Sequence, residues 1–202
     1  MHKIITQKLG ALERDMSFAK ASLNENQKRC YNPKNFGDDF EGAELVLYYK
    51  GVYVRAKDVT KIQKTLAAKN INITLATLKR LIADESRWDE LWLLDIETHY
   101  INRLHDAPHF PYYISTRGDL LKLNLTKIMS NPRTSSVEVV IDEYYWTINR
   151  GRQIITTFTS KKKIEEGRKL FFRNGIYTDC GIDNVTLSSY NNVDGETVEW
   201  DE

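Results

Sequence analysis

The chain has 202 residues, long enough for one large domain or two small ones with separate cores. With 41% hydrophobic and 28% charged residues it has the composition of a folded protein, which excludes a disordered chain. Two cysteines, Cys30 and Cys180, stand far apart with no second cysteine near either, which excludes a zinc knuckle and a disulfide framework of the secreted kind. There is no apolar leader segment and no apolar run long enough to span a membrane, so the expectation is a cytoplasmic protein with no membrane partner.

The net charge of +1 conceals a polarity. Residues 1–175 carry 29 Lys+Arg against 21 Asp+Glu, whereas 176–202 carry none against 7. A basic body suits a polyanion, and an acidic tail can fold back on it and weaken non-specific binding.

From the N-terminus, Ile5, Leu9, Leu12, Met16, Ala19 and Leu23 alternate spacings of four and three, the a/d seam of three heptads. Residues 1–30 are therefore a candidate dimerisation helix, the alternative being a helix laid along the protein's own core. Cys30 to Gly42 is rich in Asn, Gly and Asp and reads as a loop. LVLYY and VYVRA then flank Lys50-Gly51, a two-residue hairpin connection.

The stretch Asp58–Asp84 holds two helical patterns back to back. Val59, Ile62 and Leu66 share one face of the first, with the stem of Lys69, and Leu75, Leu78, Leu81 and Ile82 share one face of the second. Asp58 and Thr74 are the expected N-caps, and Asn70-Ile71-Asn72-Ile73 is a short connector. This is the layout of a helix-turn-helix, whose second helix presents its N-terminal residues to the major groove of DNA. Thr74, Ala76, Thr77 and Lys79 would face the groove; Arg80 and Lys61 or Lys64 would touch phosphate. An ordinary αα hairpin in a larger core is the competing reading.

Beyond Asp84, LWLLDIETHY fits a helix or a strand. His99, His105 and His109, with Asp95 or Glu97, raise a metal-dependent nuclease as a further alternative. Their spacings of six and four, the second broken by Pro108, do not match helical metal motifs, so no catalytic or metal residue is assigned and no cofactor is expected. Residues 111–158 read as two hairpins, each an aromatic-led strand, an Arg-Gly turn (Thr116-Arg117-Gly118 and Asn149-Arg150-Gly151) and a second strand. Ser160 begins an expected short helix through residue 173, stopped by Asn174-Gly175. The last segment keeps enough apolar residues, from Ile176 to Trp200, to add strands.

Two resemblances follow from these residues. Gln63, Ile71, Thr74, Thr77 and Arg80 are similar to the helix-turn-helix of arginine-repressor-type winged domains, with Asn70 where that pattern prefers Gly. Tyr112, Ile114, Ser115, Gly118 and Leu120 or Leu121, followed by Ile154, Ile155, Thr157 and Phe158, resemble the nuclease-associated modular domain of phage homing endonucleases. That family's His-Asn-His nuclease needs a histidine base, yet no histidine follows His109, and Arg152 or Gln153 stands at the expected position. The resemblance implies a binding module without the nuclease, in a phage or mobile-element protein.

The expectation is thus an α+β protein: an N-terminal coiled-coil-like helix (1–30), a helix-turn-helix unit with a β-hairpin (43–95), and an antiparallel β-rich domain with one helix and an acidic end (96–202). It would bind DNA as a homodimer in a regulatory or accessory role. The alternative is a structural or host-inhibitory protein that engages a host protein through its eleven tyrosines, four tryptophans and acidic surface.

Overall fold

Strand β1 (Glu44–Tyr49) is apolar on both of its faces, and the fold explains why: it lies inside a sheet covered on either side. The structure, a computed structural model, describes residues 42–187 except 160, 162, 166 and 167. The expected helix over 2–28 with its dimer seam, most of the loop before Gly42 and the acidic end beyond residue 187 lie outside the described residues.

The fold is α+β, with an antiparallel sheet of order β2-β1-β3-β4-β5 formed by β1, β2 (Val52–Arg55), β3 (Glu97–Arg103), β4 (Tyr112–Ser115) and β5 (Leu120–Lys122). Lys50 (φ 44°) and Gly51 (φ 89°) form the expected β1–β2 turn, both left-handed as a two-residue hairpin loop requires. The sheet takes β1 and β2 from one side of the 95/96 boundary and β3–β5 from the other.

Between β2 and β3 the chain forms α1 (Val59–Ala67), α2 (Leu75–Ala83) and a single turn of 3-10 helix followed by α3 (Trp88–Trp92). LWLLDIETHY thus divides: α3 ends at Trp92 and β3 starts at Glu97, with Asp95 left-handed (φ 54°) at the corner. Ile62, Leu66, Leu78, Leu81 and Leu91 pack with Leu47, Tyr49, Val54 and Ile96 on one face of the sheet. Thr74 caps α2, its side chain accepting the Thr77 amide at 3.1 Å. The expected Asp58 cap is not made: that side chain bonds no amide of α1, because its backbone (φ −88°, ψ 55°) departs from the extended cap geometry. Leu75, expected inside, is only half-buried, since it sits at the α1–α2 connection rather than over the sheet.

The second expected hairpin is different in kind. β6 (Ser136–Ile141) pairs with β7 (Tyr144–Asn149), but Arg150–Phe158 forms helix α4 rather than a turn and strand. Asn149 is its cap, accepting the Arg152 amide at 3.0 Å, and all of α4 except Arg152 is buried. Tertiary burial of Ile154, Ile155 and Phe158 overrides the β-branched run that favoured a strand. The expected helix over 160–173 is also overturned: Leu170–Phe172 is strand β8, paired with β9 (Val185–Leu187). A helix there would put the three like charges of the sequence KKK in one turn, while Leu170 and Phe172 face inward with Phe171 exposed, the period of a strand.

Tyr100, Ile114, Leu120, Val139, Ile148, Ile154 and Phe158 join β6, β7 and α4 to the sheet in a second core cluster. Ile155, Phe172, Cys180, Val185 and Leu187 seat β8 and β9 against α4. No helix among the described residues is long and apolar enough to cross a membrane.

Candidate functional site

The helix pair owes its shape to its connector. Asn70 is left-handed (φ 61°), the Ile71 amide reaches back to Leu66 O at 3.0 Å, and Gln63 Nε2 donates to Ile73 O at 2.8 Å. Asn70 can hold this corner because its side chain tolerates left-handed backbone better than most. The apolar stripes face the sheet, so the opposite stripes meet solvent.

Between Val59 and Ala83 there are five cations, Lys61, Lys64, Lys69, Lys79 and Arg80, and no Asp or Glu. All five are exposed. None of them makes an ion pair with the described residues, whereas Arg55, Arg87, Arg117, Lys127 and Arg152 are each paired. Lys64 of α1 and Thr74 at the N-terminus of α2 line one cleft of about 510 Å³, with Gln63, Asn72 and Leu75. Amides at a helix N-terminus and a lysine beside them both favour an anion.

Of the residues expected to face a groove, Thr74, Ala76 and Lys79 are exposed. Thr77 is half-buried and its hydroxyl lies 2.8 Å from that of Thr74, so it belongs first to the cap. Arg80, Lys61 and Lys64, the expected phosphate contacts, are exposed.

The histidines have other surroundings. His99 is wholly buried in β3, with Nε2 2.9 Å from Glu97 Oε2 and Nδ1 3.3 Å from the Thr116 hydroxyl. An ionised carboxylate only accepts, so Nε2 carries the ring proton. His105 and His109 are exposed in the segment after β3. No three His, Cys, Asp or Glu side chains among the described residues come together as a metal-binding group.

Sequence reading missed the network around His99. Glu97 accepts from Arg117 Nη1 at 2.6 Å. The Arg117 guanidinium lies 4.4 Å over the Tyr48 ring and 3.6 Å from Asp119, which also holds Lys127 Nζ at 2.7 Å and the Tyr53 hydroxyl at 2.7 Å. Ser115 closes the set, its Oγ within 3.1 Å of the Tyr53 hydroxyl and accepting the Asp119 amide at 3.1 Å. Burial pushes the Tyr53 phenol well above its ordinary value and the His99 imidazole below its own, although Glu97 pulls His99 the other way. Burial opposes ionisation of Glu97 too, but the His99 hydrogen bond and the Arg117 charge outweigh it and lower its pKa. Only one signal in the sequence pointed here: Glu97 and His99, two apart on a strand, share a face.

Next to this network a charged cleft of about 560 Å³ is lined by Arg117, Asp119, Lys127, Arg150, Asp179 and Asp183 among others. Buried Arg150 donates to four carbonyl oxygens, those of Gly118, Thr134, Ser135 and Thr178, at 3.1–3.3 Å. It ties three loop segments together, at 118, 134–135 and 178. Cys180 lines the same cleft, but burial pushes its thiol up to about 11, which leaves it protonated and unsuited to nucleophilic chemistry.

No protein-family model matches this chain, and no curated protein or solved structure is similar to it.

Proposed function

We propose that the protein binds double-stranded DNA through α1 and α2, with α2 entering the major groove. The observation that carries this reading is the charge left unpaired among the described residues: five exposed cations and no carboxylate on one helix pair whose apolar sides are held against the sheet. A helix pair serving only as core filling needs Ile62, Leu66, Leu78 and Leu81 and gains nothing from five like charges, which repel one another. In this reading Thr74, Ala76, Thr77 and Lys79 face the groove, and Arg80, Lys61 and Lys64 meet phosphates. The heptads at Ile5–Leu23 support a homodimer, which would offer two helix pairs to a two-fold symmetric site. The similarity of residues 58–84 to arginine-repressor-type domains supports the same reading, in a phage or mobile-element protein acting in its host's cytoplasm.

The test is fluorescence anisotropy on a mixed-sequence duplex across a salt series. Lys64→Ala and Arg80→Ala should each lower the log–log salt slope by about 0.9 for a lost phosphate contact. Their melting temperatures should not change, since exposed substitutions usually stay within about 0.5 kcal/mol. Wild-type binding in both variants would end the proposal.

A second reading rests on the β6–β7 hairpin, where Tyr144 is 71% and Tyr145 82% exposed beside a 56% exposed Val140. Such a patch suits a protein partner, as a structural or host-inhibitory protein would require. Tyr145→Ser would then abolish capture of that partner and leave DNA binding unchanged.

A further inference from the structure

Lys61 and Lys64 stand three residues apart on α1, yet they line different clefts. Lys64 faces the cleft at the α1–α2 connection. Lys61 faces a larger one, about 650 Å³, between α1, the β1–β2 turn at Val52 and the segment 124–130. Helix α1 is therefore a ridge with a lysine on either slope.

Lys61, Lys127 and neutral donors line the Lys61 cleft alongside the apolar Val52, Leu125 and Met129, and no carboxylate does. Asn124, Thr126 and Ser130 contribute an amide and two hydroxyls; Asn124 Oδ1 accepts the Thr126 amide at 3.0 Å, which leaves its NH2 directed elsewhere. Lys127 is held and neutralised by Asp119, so Lys61 is the cation this cleft offers. The segment itself is held rigidly. Leu125 is buried with left-handed backbone (φ 66°), its amide bonding Lys122 O at 2.8 Å, while Lys122 N bonds Thr126 O at 2.9 Å and Ile128 N bonds Leu120 O at 2.9 Å. A bulky residue in that conformation persists only where its surroundings fix it, and the result is a preformed display of Asn124 and Thr126.

We propose that residues 124–130 form a second contact element for the DNA backbone, so that one strand crosses α1 between Lys64 and Lys61 and continues over Asn124, Thr126 and Ser130. Lysines with neutral hydroxyl and amide donors are the side chains that recognise phosphate and sugar rather than bases. This inference rests on the helix-pair reading above and extends its footprint by one cleft.

The experiment uses the full chain and the same duplex. Met129→Glu and Thr126→Glu each put a carboxylate at the cleft from a solvent-exposed position; Met129 is 85% exposed. Each should weaken binding at 0.1 M salt by roughly eightfold, the loss expected for one phosphate contact. Thr147→Glu, on the exposed side of β7, makes the same change in net charge and should leave affinity as it was. If Thr126→Glu lowers the melting temperature, Met129→Glu decides. Wild-type affinity in the cleft variants, with Arg80→Ala still weakened, would overturn the second contact element and leave the helix pair standing. Equal weakening by Thr147→Glu would overturn it too, as an effect of net charge alone. Failure of the unaltered chain to bind duplex at all would remove both readings together.

Discussion

Gly118 is the position at which one methyl group should do most damage. Its backbone is left-handed (φ 84°), and a Cβ built there would lie 2.3 Å from the Cys180 carbonyl oxygen and 2.4 Å from its carbonyl carbon. Both obstacles are backbone, so no rotamer relieves them. Gly118→Ala therefore carries about 1–2 kcal/mol for placing an L-residue in left-handed geometry. It also forces the 116–119 turn and the Cys180 segment apart by roughly an ångström, the gap between 2.3 Å and an ordinary contact. That movement strains the Ile182 amide's bond to Thr116 O at 2.9 Å and the Arg150 bond to Gly118 O at 3.2 Å. Leaving one such buried group without a partner costs about 1–3 kcal/mol, so the total should be about 2–5 kcal/mol. Gly51→Ala is the control: φ is 89°, nothing lies within 4 Å, and only the conformational cost of about 1–2 kcal/mol applies. Urea unfolding followed by tryptophan fluorescence measures both, and the Gly118 variant should lose about 2 kcal/mol more. Losses equal within about 0.5 kcal/mol would refute the close approach of these two backbones.

Two further outcomes follow from buried polar groups. Tyr49→Phe should raise stability by about 1 kcal/mol, visible as a melting temperature higher by about 2–4 °C, because the buried Tyr49 hydroxyl has no hydrogen-bond partner among the described residues; a lower melting temperature would contradict this. On acidification, His99, whose folded pKa lies below its ordinary 6.5, favours folding above that pH, and its contribution falls away as pH drops. Glu97, with its pKa lowered from 4.5, likewise contributes above that pH and loses its contribution as pH falls below it. Stability should therefore decline in two stages below about pH 6.5, and His99→Gln should flatten the upper one in urea titrations run from pH 7 to 4; an unchanged pH profile would remove His99 from this role.

How much of this was legible depended on how local each pattern is. The β1–β2 hairpin, α1 and α2 were readable because their periods and the Lys50-Gly51 and Asn70 corners are written within a few residues. The two Arg-Gly dipeptides show where that ends. Arg117-Gly118 does turn with a left-handed glycine, but Arg150-Gly151 opens α4. Asn149 three residues ahead of Arg152 was the available cap signal, and Ile154-Ile155-Thr156-Thr157 argued locally for a strand; only the packing against β4, β6 and β7 decides otherwise.

The charges carry the same lesson into function. In a count of net charge, Arg117, Lys127 and Arg150 weigh as much as Lys61, Lys79 and Arg80. In the fold, Arg117 is neutralised chiefly by Glu97, 20 positions away in the sequence, and Lys127 by Asp119, beside the bridge between Leu121 and Lys127. Arg150 is enclosed by carbonyls, and Arg152 pairs with Asp106. A basic body of +8 is thus a poor guide to where a polyanion would be held. The five cations of α1 and α2, which make no ion pair among the described residues, are within reach of sequence, since the segment between Asp58 and Asp84 holds no carboxylate of its own. What shields the rest is not, and so the cleft beside Lys61 comes into view only once Asp119 is seen to fix Lys127 and Leu125 to fix the segment around it.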